Sequence, residues 1–358
     1  MTLREQRQNE FADIWLETGK NGLLHLCPRS GKSKIGLLIF EKIRANKILI
    51  AYPDNKIRDS WEREMVKWNY QNDNITFTNT RSLEKYVEEE YDVVVIDEIH
   101  TLSDFQIEQC KKLFIKNKTV LGLSGSISSE TEEILARELS LLIVANYSIE
   151  QAISEGVITD YEINVISVPL DNKIKQHFGK KLRTEKQQFD AYTKVIEKLE
   201  KQGRDTKFLR LARMRVIQGS VAKQQKTISL IEEHKEERIL IFCGLTKIAD
   251  SLGIPSYHSK SYEKDAFDEF VNGEGKQLAV CKIGSVGITF TPLSFTIISF
   301  FDSNSENLCQ KILRVMSMEY DNPEKCAKIY IVSSTEIVEQ HWLSHALEMF
   351  NEQKINYL

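Results

Sequence analysis

Hydrophobic residues along the chain gather into short unbroken runs, separated by longer stretches in which they recur every three or four positions. The runs at 23–26, 48–51, 93–96, 120–123 and 239–242 have the length and composition of parallel strands buried on both faces. Helical spacing begins near Lys32 and recurs around Trp61 and Glu64. Residues 161–168 alternate apolar with polar, which predicts a further strand. Strands alternating with helices predict an α/β fold of parallel sheets flanked by helices. A length of 358 residues suits two such domains. Near the C-terminus the pattern predicts a helix with Ile337, Val338, Trp342 and Leu347 facing inward.

Composition narrows the class. With 41% hydrophobic and 28% charged residues the chain can bury a core, so disorder is not expected. The longest apolar stretches, 139–145 and 293–301, fall short of the roughly 18 residues that span a membrane. The polar N-terminus lacks the pattern of a secretory signal. Cysteines at 27, 110, 243, 281, 309 and 326 show no CxxC spacing, which fits a reducing cytoplasm, a bacterial host's cytoplasm if the chain is phage-encoded. His341 and His345 have the spacing of a zinc-protease helix, but Trp342 stands where that motif needs glutamate, leaving an ordinary amphipathic helix as the expectation. Charge is uneven: the chain carries −4 overall, yet residues 172–226 hold 16 basic and 5 acidic side chains, leaving −15 for the remainder. A basic helical segment is expected there, either contacting phosphates or forming a solvated face.

Two segments carry candidate chemistry. In GLLHLCPRSGKSKIGLLIFEKI a strand leads through Arg29, Ser30, Gly31, Lys32 and Ser33 into a helix, with the GK[ST] end of a phosphate-binding loop at the turn. Such a loop wraps backbone amides around phosphate, its lysine neutralises the β and γ charge, and its hydroxyl ligates magnesium. In YDVVVIDEIH a buried strand delivers Asp97 and Glu98 to its carboxyl end. Asp97 is placed to share Mg2+ with Ser33, and Glu98 to deprotonate an attacking water. Alone, either segment could be a plain turn or a helix-capping acid; their order favours ATP chemistry.

Further elements follow in sequence: Pro53 with the SWxxE of Trp61 and Glu64, then Ser124, Gly125 and Ser126 closing a strand, then residues 277–291 with Gly284 and Gly287, then 303–317 with Gln310 and Arg314. The ordered set resembles the superfamily two helicases and translocases over about residues 3–335. Within that superfamily it is most similar to phage-encoded UvsW-like and Swi/Snf-type DNA-dependent ATPases. The resemblance implies two tandem RecA-like domains, 1–158 and 159–358, with residues 147–170 similar to the crossing between them and a basic helical elaboration in the second. It also implies ATP and Mg2+ between the lobes and an arginine, Arg314, that meets transition-state charge. Ser124, Gly125, Ser126 and Gly287 would couple phosphate state to movement. Gln8 is similar to the adenine-reading glutamine, with Gln6 a competitor and a plain surface residue a third reading. Four positions depart from the pattern: Leu26, Arg29 and Leu313 replace glycines, and Ser317 replaces the last arginine.

The function expected is a monomeric DNA-dependent ATPase that remodels DNA by branch migration, annealing or unwinding. Arg204, Lys207, Arg210 and Arg213 are the expected contacts to single-stranded, duplex or branched DNA. A nucleic-acid-binding module with a degenerate ATPase and an RNA helicase are the alternatives.

Overall fold

Helix α1 (Leu3–Glu17) opens on a capping box in which the Thr2 hydroxyl accepts from the Glu5 amide and the Glu5 carboxylate accepts from the Thr2 amide. The computed structural model describes residues 2–260, 264–281, 290, 293–316 and 325–358, apart from the side chains of Lys56, Lys264 and Glu306. It divides into two compact units, 1–158 and 159–358.

After α1 the first unit runs β1 (Asn21–Leu26), α2 (Lys32–Ile43), β2 (Ile48–Tyr52), α3 (Asn55–Lys67), β3 (Ile75–Asn79), β4 (Val93–Asp97), α4 (Asp104–Lys116), β5 (Val120–Ser124), α5 (Ser129–Leu139), β6 (Ile143–Tyr147) and α6 (Ile149–Ser154). Its six strands are parallel in the order β3-β2-β4-β5-β1-β6. Every residue of β2, β4 and β5 is buried, which is why these strands are continuous apolar runs in the sequence. On one face Leu23, Leu49, Val94 and Ile96 pack against Ile107, Cys110 and Leu113 of α4 and Leu135 of α5. Each such side chain contributes about 1.5 to 3 kcal/mol on burial. Helix α1 is tied to the end of the unit by Arg7, whose guanidinium donates to Glu155 at 2.8 and 2.5 Å.

The second unit comprises β7 (Asp160–Val168), β8 (Gln176–Phe178), β9 (Lys181–Arg183), α7 (Glu185–Glu200), α8 (Lys207–Gln218), α9 (Val221–Glu233), β10 (Ile239–Cys243), α10 (Thr246–Asp250), β11 (Ser256–Tyr257), α11 (Lys264–Asn272), β12 (Gln277–Cys281), β13 (Phe295–Ile298), α12 (Ser305–Leu313), β14 (Cys326–Ser334), α13 (Ile337–Leu347) and β15 (Ile355–Tyr357). Seven strands form a parallel sheet in the order β11-β12-β10-β13-β14-β7-β15, while β8 and β9 form a separate antiparallel ribbon.

Three expectations are corrected. The strand at 161–168 does not bury alternate residues as its apolar–polar alternation implied: Ile163 through Ile166, including Asn164, are all buried. The basic segment 172–226 is not helical throughout: residues 176–183 fold as the β8–β9 ribbon, joined by the two-residue turn Gly179–Lys180, before α7 begins. Gly179 has φ 63°, the conformation that a first-position glycine supplies to a two-residue hairpin turn. In α13, Ile337 is 87% exposed, and the inward face is formed by Leu343, Ala346 and Leu347. The helix is rotated because Glu339 is drawn inside, where it accepts from Lys223 Nζ at 2.6 Å and from the Ser334 amide at 2.6 Å.

The Lys223–Glu339 pair joins α9 to α13, and both side chains are almost fully buried. Removing one partner strands the other charge in the core. Lys223→Met is expected to cost about 3 to 5 kcal/mol in denaturant unfolding, whereas the double variant Lys223→Met with Glu339→Leu recovers most of the loss. Equal losses in the single and double variants would show that the pair's charge is not what the core must neutralise.

Candidate functional site

Residues 27–31 form the turn between β1 and α2. Arg29 (φ 72°) and Gly31 (φ 91°) both take left-handed backbone, so the loop keeps a glycine-like conformation at 29 although arginine occupies it. Helix α1 braces the turn from outside. Gln8 Nε2 donates to the Ser30 carbonyl at 2.8 Å, and Arg4 Nη2 donates to the Arg29 carbonyl at 2.7 Å. Gln8 is buried, whereas Gln6 is exposed. A Cβ at Gly31 would fall 2.2 Å from Gln8 Nε2, so the bracing depends on glycine there. Burial pushes the Arg29 guanidinium down to about 10, helped by repulsion from Arg4.

The first turn of α2 has no side-chain cap, and the buried Ser30 Oγ makes no hydrogen bond among the described residues. Uncapped amides at a helix start, an orphaned hydroxyl and the Lys32 ammonium make a donor set that fits phosphate.

Opposite this loop, β4 ends in Asp97, and Glu98 follows in left-handed backbone at φ 50°. Lys32 Nζ lies 3.2 Å from Glu98 Oε1, and the Gly125 amide donates to Glu98 Oε2 at 3.4 Å. Burial raises the proton affinity of Glu98, but Lys32 and then His100 overcome it and hold the carboxyl below its ordinary range. Asp97 goes the other way. Burial, followed by repulsion from Glu98, lifts it to about 6. Two adjacent carboxyls thus have divergent proton affinities, as a site with separate roles for them requires.

Trp61 was not foreseen as part of this geometry. Its indole N–H donates to Asp97 Oδ2 at 2.8 Å across 36 residues of sequence. The fully buried ring stacks on Phe40 at 6.0 Å and lies against Gly36, where any Cβ would meet the ring at 2.3 Å. Glu64 accepts from Trp68 Nε1 at 2.8 Å. The SWxxE element therefore turns its tryptophan to the acidic pair. Trp61 and Asp97 stand 36 residues apart, so no local spacing signals such a contact.

Ser124 Oγ donates to the Ser126 carbonyl at 2.7 Å and lies 2.5 Å from His100 Nδ1, while His100 Nδ1 is 3.5 Å from Glu98 Oε2. Ser124, Gly125 and Ser126 are thereby linked to Glu98 directly and through His100.

In the second unit, Gln310 lies on α12 and Arg314 follows its last residue. Arg314 is 5% exposed, and Gln310 Oε1 is buried without a hydrogen bond among the described residues. Between them Lys311 Nζ donates to the Phe300 carbonyl at 2.7 Å, and burial pushes it down to about 8. Gly284, Gly287 and Ser317 lie outside the described residues.

The expected nucleic-acid contacts are not equivalent. Arg204 and Lys207 are exposed. Arg210 instead donates twice to Glu200 Oε1, at 3.0 and 2.6 Å, and Arg213 donates to Thr193 Oγ1 at 3.3 Å while lying 5.6 Å from the Phe189 ring.

No family model matches the chain, and no curated protein matches it in sequence. Solved structures do. The helicase domain of Hef from Pyrococcus furiosus aligns with 97% of this chain and 100% of its own, at TM-score 0.54 and 13% identity. A fragment assigned as an HsdR subunit of a type I restriction enzyme from Vibrio vulnificus YJ016 aligns with 99% of this chain and 67% of its own, at TM-score 0.62 and 13% identity. The type ISP restriction-modification enzyme LlaBIII, solved bound to DNA, covers the whole chain with 31% of its own length, at TM-score 0.65 and 11% identity. The fold is that of tandem RecA-like helicase domains. At these identities the likeness speaks for the fold alone. The first unit carries the 27–31 turn and the Asp97–Glu98 pair at the carboxyl ends of β1 and β4, where open parallel sheets hold their ligands.

Trp61→Phe removes a donor to the Asp97 carboxylate while keeping most of the buried ring. Losing a hydrogen bond to a buried charged acceptor is expected to cost about 1.5 to 3 kcal/mol in unfolding experiments at neutral pH. Because the N–H favours the ionised carboxylate, its loss raises the proton affinity of Asp97. The penalty should therefore shrink as pH falls and Asp97 protonates in the folded state, and a pH-independent penalty would assign Trp61 to packing alone.

Proposed function

We propose that the chain is a DNA-dependent ATPase of the helicase or translocase kind, which hydrolyses ATP to remodel DNA by branch migration, annealing or unwinding. The observation that carries this reading is Glu98 held 3.2 Å from Lys32, beside an uncapped helix start and next to a second carboxyl of divergent proton affinity. That arrangement suits water attack on a bound phosphate.

Each residue then has a task. Backbone amides from Ser30 to Ser33 and the Lys32 ammonium receive the phosphates, and Gln8 and Arg4 keep the loop in shape from behind. Ser33 and Asp97 are the residues that would hold Mg2+, which supplies neutralisation of phosphate charge when bound. Lys32 is shared between two anions. A phosphate that draws it away from Glu98 removes the charge holding that carboxyl ionised, so the proton affinity of Glu98 rises as substrate arrives, as a general base requires. His100 and the Gly125 amide keep the carboxylate aimed during the exchange. Arg314 is assigned to meet charge developing in the transition state, with Gln310 beside it. Ser124, Gly125, Ser126 and Gly287 are assigned to coupling, and Arg204 and Lys207 to DNA phosphates, with Arg210 and Arg213 joining them after release from Glu200 and Thr193. The fold shared with a DNA-bound enzyme supports DNA as the partner.

The deciding experiment is ATP turnover measured with single-stranded DNA, duplex DNA, forked DNA and RNA. Stimulation by DNA above RNA is expected. Nucleotide binding without turnover would make the chain a binding module, and a preference for RNA would make it an RNA helicase. Glu98→Gln should keep nucleotide affinity and lower turnover by at least about a hundredfold, since an amide cannot accept the proton. Lys32→Ala should weaken both. Arg314→Ala should lower stimulated turnover by about a thousandfold or more with little change in affinity, and near-normal turnover would remove Arg314 from the site.

A further inference from the structure

The β8–β9 ribbon is built to project cations. Residues 172–184 contain Lys173, Lys175, Lys180, Lys181 and Arg183 and no Asp or Glu. Among the described residues none of the four lysines has a carboxylate within ion-pair distance, although carboxylates neutralise Lys186 and Arg210 close by.

The ribbon is nevertheless held firmly. Phe178 packs on the cluster of Leu170, Phe189, Val216 and Ile217. Glu185, 1% exposed, accepts from the Asp171 amide at 3.1 Å, from the Val221 amide at 2.9 Å and from Gln176 Nε2 at 3.4 Å. Arg183 donates to Gln188 at 3.2 Å. One face of the ribbon is thus fastened to the α7–α8 layer. The other displays the cross-strand pair His177 and Leu182, both exposed; Lys181 shares a face with its partner Phe178, and all four lysines are nonetheless exposed. A solvated loop would gain nothing from a buried carboxylate and an aromatic anchor at its base.

We propose that the β8–β9 ribbon is a duplex-DNA contact that grips phosphates through Lys173, Lys175, Lys180 and Lys181. The proposal rests on the reading of the chain as a DNA-dependent ATPase and adds a contact made by residues other than Arg204, Lys207, Arg210 and Arg213. Two features favour a duplex over a single strand. A two-stranded ribbon has the cross-section that a B-DNA major groove admits. Single-strand binders present rows of aromatic platforms, whereas the exposed face here offers His177 as its ring, Phe178 being committed to the core.

The test uses the full chain with all four lysines changed to glutamine (K173Q, K175Q, K180Q, K181Q) and a second variant with all four changed to arginine. Circular dichroism and thermal unfolding check that both fold. Binding is measured across salt for a blunt duplex, for a single strand of the same sequence and for vesicles containing anionic lipid. The glutamine variant is expected to lower the log–log salt slope for duplex by about 3 to 4, so that the affinity lost between about 50 and about 200 mM salt shrinks roughly a hundredfold. The arginine variant should keep the wild-type slope. An unchanged duplex slope overturns the inference, as does a larger effect on single strands or on vesicles than on duplex. A wild type that binds duplex through these lysines but hydrolyses no ATP leaves the ribbon standing and removes the motor reading. A wild type with DNA-stimulated turnover and an indifferent glutamine variant does the reverse.

Discussion

Two carboxyl groups side by side at the end of a buried strand repel each other and resist leaving water, and Lys32 is the cation that makes the arrangement tenable. Unit charges at about 4 Å interact by about 4 kcal/mol at the effective dielectric of such sites, enough to decide which carboxyl stays ionised. The sheet order sets up the encounter. Strand β5 separates β1 from β4, so the helix that begins with Lys32 and the acidic end of β4 face each other across the tip of β5. At that tip stands Gly125, where a Cβ would come within 2.8 Å of Lys32 Nζ. The contact therefore needs the strand order, the left-handed turn before α2 and a residue without a side chain at 125.

The second unit meets its own buried charges differently. Glu339 and Lys223 are neutralised face to face, and Glu185 is satisfied by backbone amides, so neither is left able to exchange partners. These acids fix helices in place, while Glu98 meets Lys32 at 3.2 Å beside an uncapped helix start. The contrast separates buried charge closed off by its partners from buried charge that borders unpaired donors.

What could be read in the sequence was local. The turn from Arg29 to Ser33 and the Asp97–Glu98 pair each sit within one strand and its following residues, so pattern and chemistry coincide. The central strands β2, β4 and β5 were legible because burial on both faces leaves unbroken apolar runs. The contact of Trp61 with Asp97 was not, since it depends on how α3 lies against α2 and β4. Nor was the ribbon: strands of three residues each are too short for periodicity to register, and their lysines read as the continuation of a basic helix. The rotation of α13 was hidden for a related reason, because an inward glutamate contradicts a hydrophobic stripe until its lysine partner, 116 residues away, is known.

Helix α1 touches both ends of the first unit. Arg4 and Gln8 grip carbonyls of the 27–31 turn, and Arg7, between them in sequence, clamps Glu155, three residues short of the boundary at 158. One helix therefore joins that turn to the strip of chain that leads out of the unit, so the turn and the exit share a single brace.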